Sequence, residues 1–212
     1  MADKTSFDTG NIFFDTDNIF FDTARIGHRG DGVIIGKTVR LRRPEACSIG
    51  VGSIIDDFVY VSCALQMGRH GHIAPNVVLS GGGARIVMGD FVGIGAGSSV
   101  HCASSDYLTA SFELPSIPSD YHFGGTVADV EFADHVLIGA HSIILPGTVL
   151  PEGFACSAHS IVRNKRYEPW TLYGGPDCRK LFKRRPHAVK LQAQRLLDGL
   201  PPATAEELKN AG

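Results

Sequence analysis

The chain has 212 residues with 20 Lys and Arg against 22 Asp and Glu, a formal net charge of −2, so one domain with small appendages is expected and nucleic acid is excluded as a main partner. No run approaches the roughly 18 apolar residues of a membrane span, and MADKTSFDTG lacks the basic-then-apolar layout of a signal peptide, which predicts a soluble, cytoplasmic protein without membrane insertion. Cys47, Cys63, Cys102, Cys156 and Cys178 show neither CxxC nor regular spacing, which argues against a structural zinc site and a disulfide framework and predicts reduced, buried thiols.

Residues 1–25 carry a seven-residue repeat, SFDTGNI, FFDTDNI and FFDTARI, ending at Ile26. Its Phe and Ile positions are too apolar for a free tail, so this extension is expected to pack against the main domain or a neighbouring subunit. A domain spanning 26–165 follows. Weak hexads open it at Ile26, Ile35 and Leu41, and from Ile49 the register locks at Ile55, Val61, Met67, Ile73 and Leu79. A three-residue slip at Gly81 to Gly83 suits a backbone geometry that a side chain would forbid; Met88, Ile94 and Val100 then resume the count. From Phe132 to Val162 the units FADHVL, IGAHSI, ILPGTV, LPEGFA and CSAHSI run without a break, and such hexapeptides specify a parallel β-helix in which three units close one triangular coil.

Between the two blocks, residues 104–127 contain no hexad and are rich in proline and aromatic residues. They are expected to project from one corner as a functional loop. In the C-terminal segment, 166–212, Val189, Ala193, Leu196, Leu197 and Leu200 recur with helical period from Pro186, and Gly199 and Pro201-Pro202 stop the helix.

The hexads, the interruption after VHCASSD, the IGAHSIILPG stretch and YGGPDCRK together resemble the left-handed parallel β-helix acyltransferases, the hexapeptide-repeat family, of the sugar acetyltransferase type. The resemblance covers about Ile26 to Lys183. It implies a homotrimer with each active site in a groove between two prisms, covered by a loop, and acetyl-CoA as acyl donor. The family pattern points to backbone around Gly139, Ala140, Ser157 and Ala158 for the pantetheine arm, and to Arg163, Lys165 and Arg179 for its phosphates. The acceptor it implies is a sugar, first of all the amine of a nucleotide-linked amino sugar used in surface polysaccharide (O-antigen or capsule, lipopolysaccharide) synthesis. A sugar hydroxyl, or a non-catalytic trimeric scaffold of the same fold, are the alternatives.

Where sugar acetyltransferases of this fold place a catalytic histidine, this chain has Asp106. Either Asp106 is the base, or His101 supplies it, or an amine acceptor needs none. His72, beside Gly71, is a third catalytic candidate, its alternative being a plain turn residue. His141 and His159 occupy equivalent places one coil apart and should stack, as a ladder or as a groove lining. In the loop, His122 is a candidate for contacting the acceptor, with Tyr107, Phe112 and Tyr121 as stacking partners for a base or sugar ring. His70, His72 and His101 lack the pairing that a metal-dependent hydratase of this fold would need, so no metal is expected.

Overall fold

The structure, a computed structural model, describes residues 25–108, 114, 116–122 and 124–210; the seven-residue repeats before Arg25 and the aromatic Phe112 lie outside them. The described chain winds as a parallel β-solenoid of triangular coils. Among the described residues its strands form three long sheets, of six, eight and six strands, so that the stacked coils contribute one short strand to each face, and a separate two-stranded sheet.

Register explains why hexads build this shape. On the first face Ile49, Met67, Met88, Phe132 and Leu150 stand directly over one another. Ile35, Ile55, Ile73, Ile94, Ile138, Cys156 and Tyr173 do so on the second, and Leu41, Val61, Leu79, Val100, Ile144 and Val162 on the third. Nearly all are buried, so each coil covers the apolar floor of the next. Ser53, Ser98 and Ser142, buried at the corners, bond one coil to the next: the Ser98 hydroxyl donates to Gly139 O at 3.1 Å and accepts from Ser142 N at 3.2 Å.

The first corner, between the first and second faces, and the second corner, between the second and third, keep the spacing of six in every coil that these columns define. The third corner does not. Residues Pro44–Ala46 form a 3-10 turn there, Gly81 to Gly83 are inserted there, and the long loop leaves there. Gly81 sits at φ +142, and a Cβ on it would lie 2.4 Å from Cys102 Cβ, which is why the slip falls on glycine.

Two elements go beyond the sequence expectation. After the last coil, Thr171–Gly174 and Arg179–Lys183 form an antiparallel hairpin that extends the second face. Helix α1 covers Pro186–Leu197, ending at Asp198 and Gly199 rather than running to Leu200, and a short helix α2 covers Ala205–Asn210. No helix among the described residues is long and apolar enough to cross a membrane.

Because Phe132 is 2% exposed in the middle of the first column, Phe132→Ala should cost about 3–5 kcal/mol in denaturant unfolding. The adjacent, outward Glu131 should tolerate alanine within about 0.5 kcal/mol.

Candidate functional site

The projecting loop is tied at its base. Ala103 and Ser104 pair antiparallel with Val127 and Thr126, Ala128 N donates to Cys102 O at 2.9 Å, and Asp129 takes both the backbone N–H of Arg85 at 3.0 Å and its Nε at 2.8 Å. The chain thus leaves and re-enters the coil at one fixed point. His101 stands immediately before that point, at the edge of the third face.

His101 is half-buried, and its Nδ1 shares a hydrogen bond with Ser80 Oγ at 2.9 Å. Burial pushes its pKa below the usual histidine value, because an imidazolium there would lose hydration. The ring is therefore a neutral imidazole at pH 7, with one nitrogen held by Ser80. Asp106 follows in the loop, where Oδ1 accepts from Leu108 N at 2.8 Å. Tyr107 is largely exposed beside it. Farther along, Tyr121 is exposed and His122 is half-buried; its Nε2 is buried without a hydrogen-bond partner among the described residues. His101, Asp106 and the loop residues thus belong to one corner.

His72 does not belong to it. It points outward on the second face, between Ile54 and Gly93 in register, and its Nε2 lies 2.8 Å from Asp56 Oδ2. Asp56 and Ser80 were not singled out in the sequence, since neither partner of these histidines is a neighbour in the chain.

Of the predicted coenzyme residues, Gly139, Ala140, Ser157 and Ala158 gather at the second corner, the opposite edge of the third face, while Arg163 and Lys165 follow Val162 on the third-corner edge. Gly139 and Ala140 lie one coil above Ser157 and Ala158, packed so closely that a Cβ on Gly139 would be 2.4 Å from Ala158 N. Gly95 and Ala96 precede them and Gly174 and Gly175 follow, so the corner presents a strip of small residues across successive coils. His141 and His159 do stack, with ring centroids 5.3 Å apart and planes within 9°, both held at positive φ. At the strip's C-terminal end, Arg163 Nη1 donates to Pro176 O at 3.0 Å and Lys165 Nζ to Asp177 O at 3.1 Å. Arg179 Nη2 meets Asp177 Oδ2 at 2.9 Å. Two of these cations therefore brace the turn after Gly174 while remaining exposed.

A different corner holds a cleft of about 470 Å³ beneath α1 and α2, lined by Phe91, His135, Leu137 and apolar helix residues. It rests on a ladder of rings that the sequence did not announce: His70 on Phe91 at 5.5 Å, Phe91 on His135 at 5.1 Å, His135 on Trp170 at 5.5 Å. None of the residues singled out for catalysis or coenzyme binding lines it.

A closed triangular solenoid whose core is filled by stacked side chains, with one tied loop and one strip of small residues flanking the same face, defines the class of hexapeptide-repeat acyltransferases. No family model matches the chain. It is 30% identical over 155 residues to dTDP-4-amino-4,6-dideoxy-D-glucose acyltransferase of Escherichia coli, covering 69% of this chain and 76% of that enzyme. Its structure superposes on AntD, an N-acyltransferase from Bacillus cereus in complex with dTDP and 3-hydroxybutyryl-CoA, with a TM-score of 0.77 and 34% identity over 86% of this chain and 98% of that one. A variant of AntD in complex with dTDP-4-amino-4,6-dideoxyglucose and Coenzyme A gives a TM-score of 0.74 and 32% identity, over 86% and 99% of the two chains. The chain belongs to the hexapeptide-repeat acyltransferase family.

Burial lowers the pKa of His101 and of His135 below the unfolded value. The unfolded chain then binds more protons, so stability should fall as pH drops below about 6.5 and be insensitive to these groups above it. His101→Gln should flatten part of that decline in denaturation midpoints measured between pH 5 and 8, leaving the share due to His135.

Proposed function

We propose that this protein transfers an acyl group from acyl-CoA, acetyl-CoA in the first instance, to the amine of a dTDP-linked 4-amino-4,6-dideoxyhexose. The observation that carries the reading is the third face itself, flanked on one edge by His101 and the loop and on the other by the small-residue strip. That relatives are found in complex with dTDP-sugar and coenzyme A supports reading that face as the meeting place of acceptor and donor. An extended pantetheine arm fits a strip without protruding side chains and bonds to backbone groups of Gly139, Ala140, Ser157 and Ala158. Arg163, Lys165 and Arg179 put positive charge where its phosphates arrive.

The amine, neutral when it attacks, adds to the thioester carbonyl, and the resulting ammonium must lose one proton as the C–S bond breaks and the coenzyme leaves as a thiol. His101 takes that proton from the nitrogen in this reading and passes it to the departing sulfur, which leaves as the thiol. Its imidazole is neutral, Ser80 fixes its orientation, and it stands where the loop leaves the coil. Asp106 then orients the amino sugar, with Tyr107, Tyr121 and the unpartnered nitrogen of His122 available to its ring and base. The two edges of the third face complete one another most readily across copies, so the active assembly is a homotrimer in which one subunit's loop covers its neighbour's strip. Acyl-CoA and nucleotide sugars are both metabolites of the cytoplasm, which places the reaction there. The N-acylated nucleotide sugar is an activated donor for glycosyl transfer into surface polysaccharide.

Thiol release from acetyl-CoA should appear with dTDP-4-amino-4,6-dideoxyglucose and not with the same sugar carrying a 4-hydroxyl. Turnover of the hydroxyl analogue would reassign the chain to O-acylation, and no turnover with no thermal stabilisation by coenzyme A would make it a scaffold. His101→Gln should lower kcat by about 100-fold with little change in either KM. A larger kcat loss in Asp106→Asn would transfer the proton to Asp106.

A further inference from the structure

Two strands of the third face, Val78–Ser80 and Ser99–His101, are three residues long, whereas the other four strands of that sheet have two. The extra residue sets Ser80 and His101 directly opposite one another. One position further the backbones are clamped again, because Cys102 N donates to Ser80 O at 2.7 Å and Cys102 occupies the space that a side chain on Gly81 would need. Held between these two fixed points, Ser80 Oγ meets His101 Nδ1 at 2.9 Å, with both residues half-buried.

The two nitrogens of the ring therefore face different surroundings. Nδ1 is bonded to Ser80. Nε2 takes no hydrogen bond among the described residues and, unlike Nε2 of His122, is not buried by them. A neutral imidazole carries one proton, and the hydrogen bond made by one nitrogen decides which of the two holds it. A carboxylate or a backbone carbonyl commonly makes that choice for a histidine. Here burial lowers the ring's pKa and no charged group among the described residues adds to the shift, so the serine hydroxyl is the group in place to choose. It can donate to a bare Nδ1 or accept from Nδ1–H. Only the second arrangement leaves a lone pair on Nε2, the nitrogen with room in front of it.

We propose that Ser80 is a positioning residue whose Oγ accepts from Nδ1–H of His101, making Nε2 the atom that takes the proton from the acceptor nitrogen. The inference rests on the acyl-transfer reading above and gives its proton transfer an atom and a direction. One proton moves from the acceptor nitrogen to Nε2 once the N–C bond has formed, and from Nε2 to sulfur as the C–S bond breaks. The Nδ1 proton stays on the hydrogen bond to Ser80 throughout, and the enzyme ends with the protons it started with. Between the two transfers the ring is an imidazolium, and its Nδ1–H bond to Ser80 is then charge-assisted and stronger than in the neutral ring.

The test begins with nitrogen-15 spectra of the full chain labelled in histidine, at about pH 8, where the ring is neutral. Such spectra separate a protonated from a bare ring nitrogen, and the His101→Gln variant identifies the His101 signals among the nine histidines. Wild type should show Nδ1 protonated and Nε2 bare, and Ser80→Ala should move the ring toward a mixture of the two forms. In turnover, Ser80→Ala should lower kcat about tenfold and leave both KM values within twofold. Ser80→Thr, which keeps the hydroxyl on a strand position that suits a β-branched side chain, should recover most of that loss. The double variant Ser80→Ala/His101→Gln should be no slower than His101→Gln alone, since the serine acts only through the ring. Thermal denaturation should show all variants folded. A wild type with Nε2 protonated, an unchanged kcat in Ser80→Ala, or losses that multiply in the double variant would each overturn the assignment. Nδ1 protonated in a wild type that acylates no amino sugar would remove the acyl-transfer reading and keep the hold of Ser80 on the ring. An active wild type that depends on His101 but is matched by Ser80→Ala would do the opposite.

Discussion

Everything in this molecule depends on one constraint, that an inward side chain must sit directly over its counterpart in the preceding coil while the backbone between coils stays hydrogen-bonded. Gly50 N to Met67 O, Gly68 N to Met88 O and Gly89 N to Phe132 O, all at 2.8 or 2.9 Å, are successive links of that kind. A residue added within a face would rotate every following side chain to the wrong surface. The constraint also fills the interior with Ile, Val, Leu, Met and Phe, so chemistry is confined to the outside, where faces and corners have to be told apart by what they can accommodate.

Corners differ in what they forgive. At the first and second corners no coil departs from six residues, and positive-φ positions recur there on His70, Phe91, His135 and Trp170, or on Gly97, His141 and His159. The third corner has absorbed every insertion, because a loop that starts and ends at the same point costs little chain entropy and leaves the three ladders intact. It is therefore the corner at which a binding loop can be added without loss of the core. The same corner encloses Cys47, Cys63 and Cys102, all free and buried, with the Cys47 thiol pushed up to about 11 by its burial. That makes it a packing group rather than a nucleophile.

Legibility in the sequence followed periodicity. The hexads fixed the inward columns, including both restarts after interruption, since Ile, Val and Met at a constant spacing have no other economical burial. His141 and His159 could be paired on paper because an uninterrupted coil separates them. The ring ladder at the first corner could not. The third-corner insertions stand between His70 and Phe91 and between Phe91 and His135, so equivalent positions lost their constant spacing. The same physics hid Ser80 from His101 and the function of Arg163 and Lys165 as braces for the turn after Gly174, which depends on where the hairpin folds back. For α2 the sequence offers only a six-residue segment, too short for an apolar period to emerge.

The distribution of the rings bears on where ligands can go. The C-terminal segment has already claimed the first corner. Arg184 lies 5.5 Å from the Trp170 ring centroid while its Nη1 donates to Gly153 O at 2.7 Å, and Lys190 both approaches the Trp170 ring at 5.4 Å and pairs with Glu152 at 2.7 Å. The guanidinium and the ring ladder thus fasten α1 across the coils at this corner, and the cleft beneath is the seam of that attachment. The third face carries no such cover from its own described chain. It is bounded by a tied loop on one edge and a strip of small residues on the other, with a neutral histidine midway. The capping helix and the open face are therefore two consequences of a single division, in which the C-terminal segment closes the first corner and leaves the third face uncovered among the described residues.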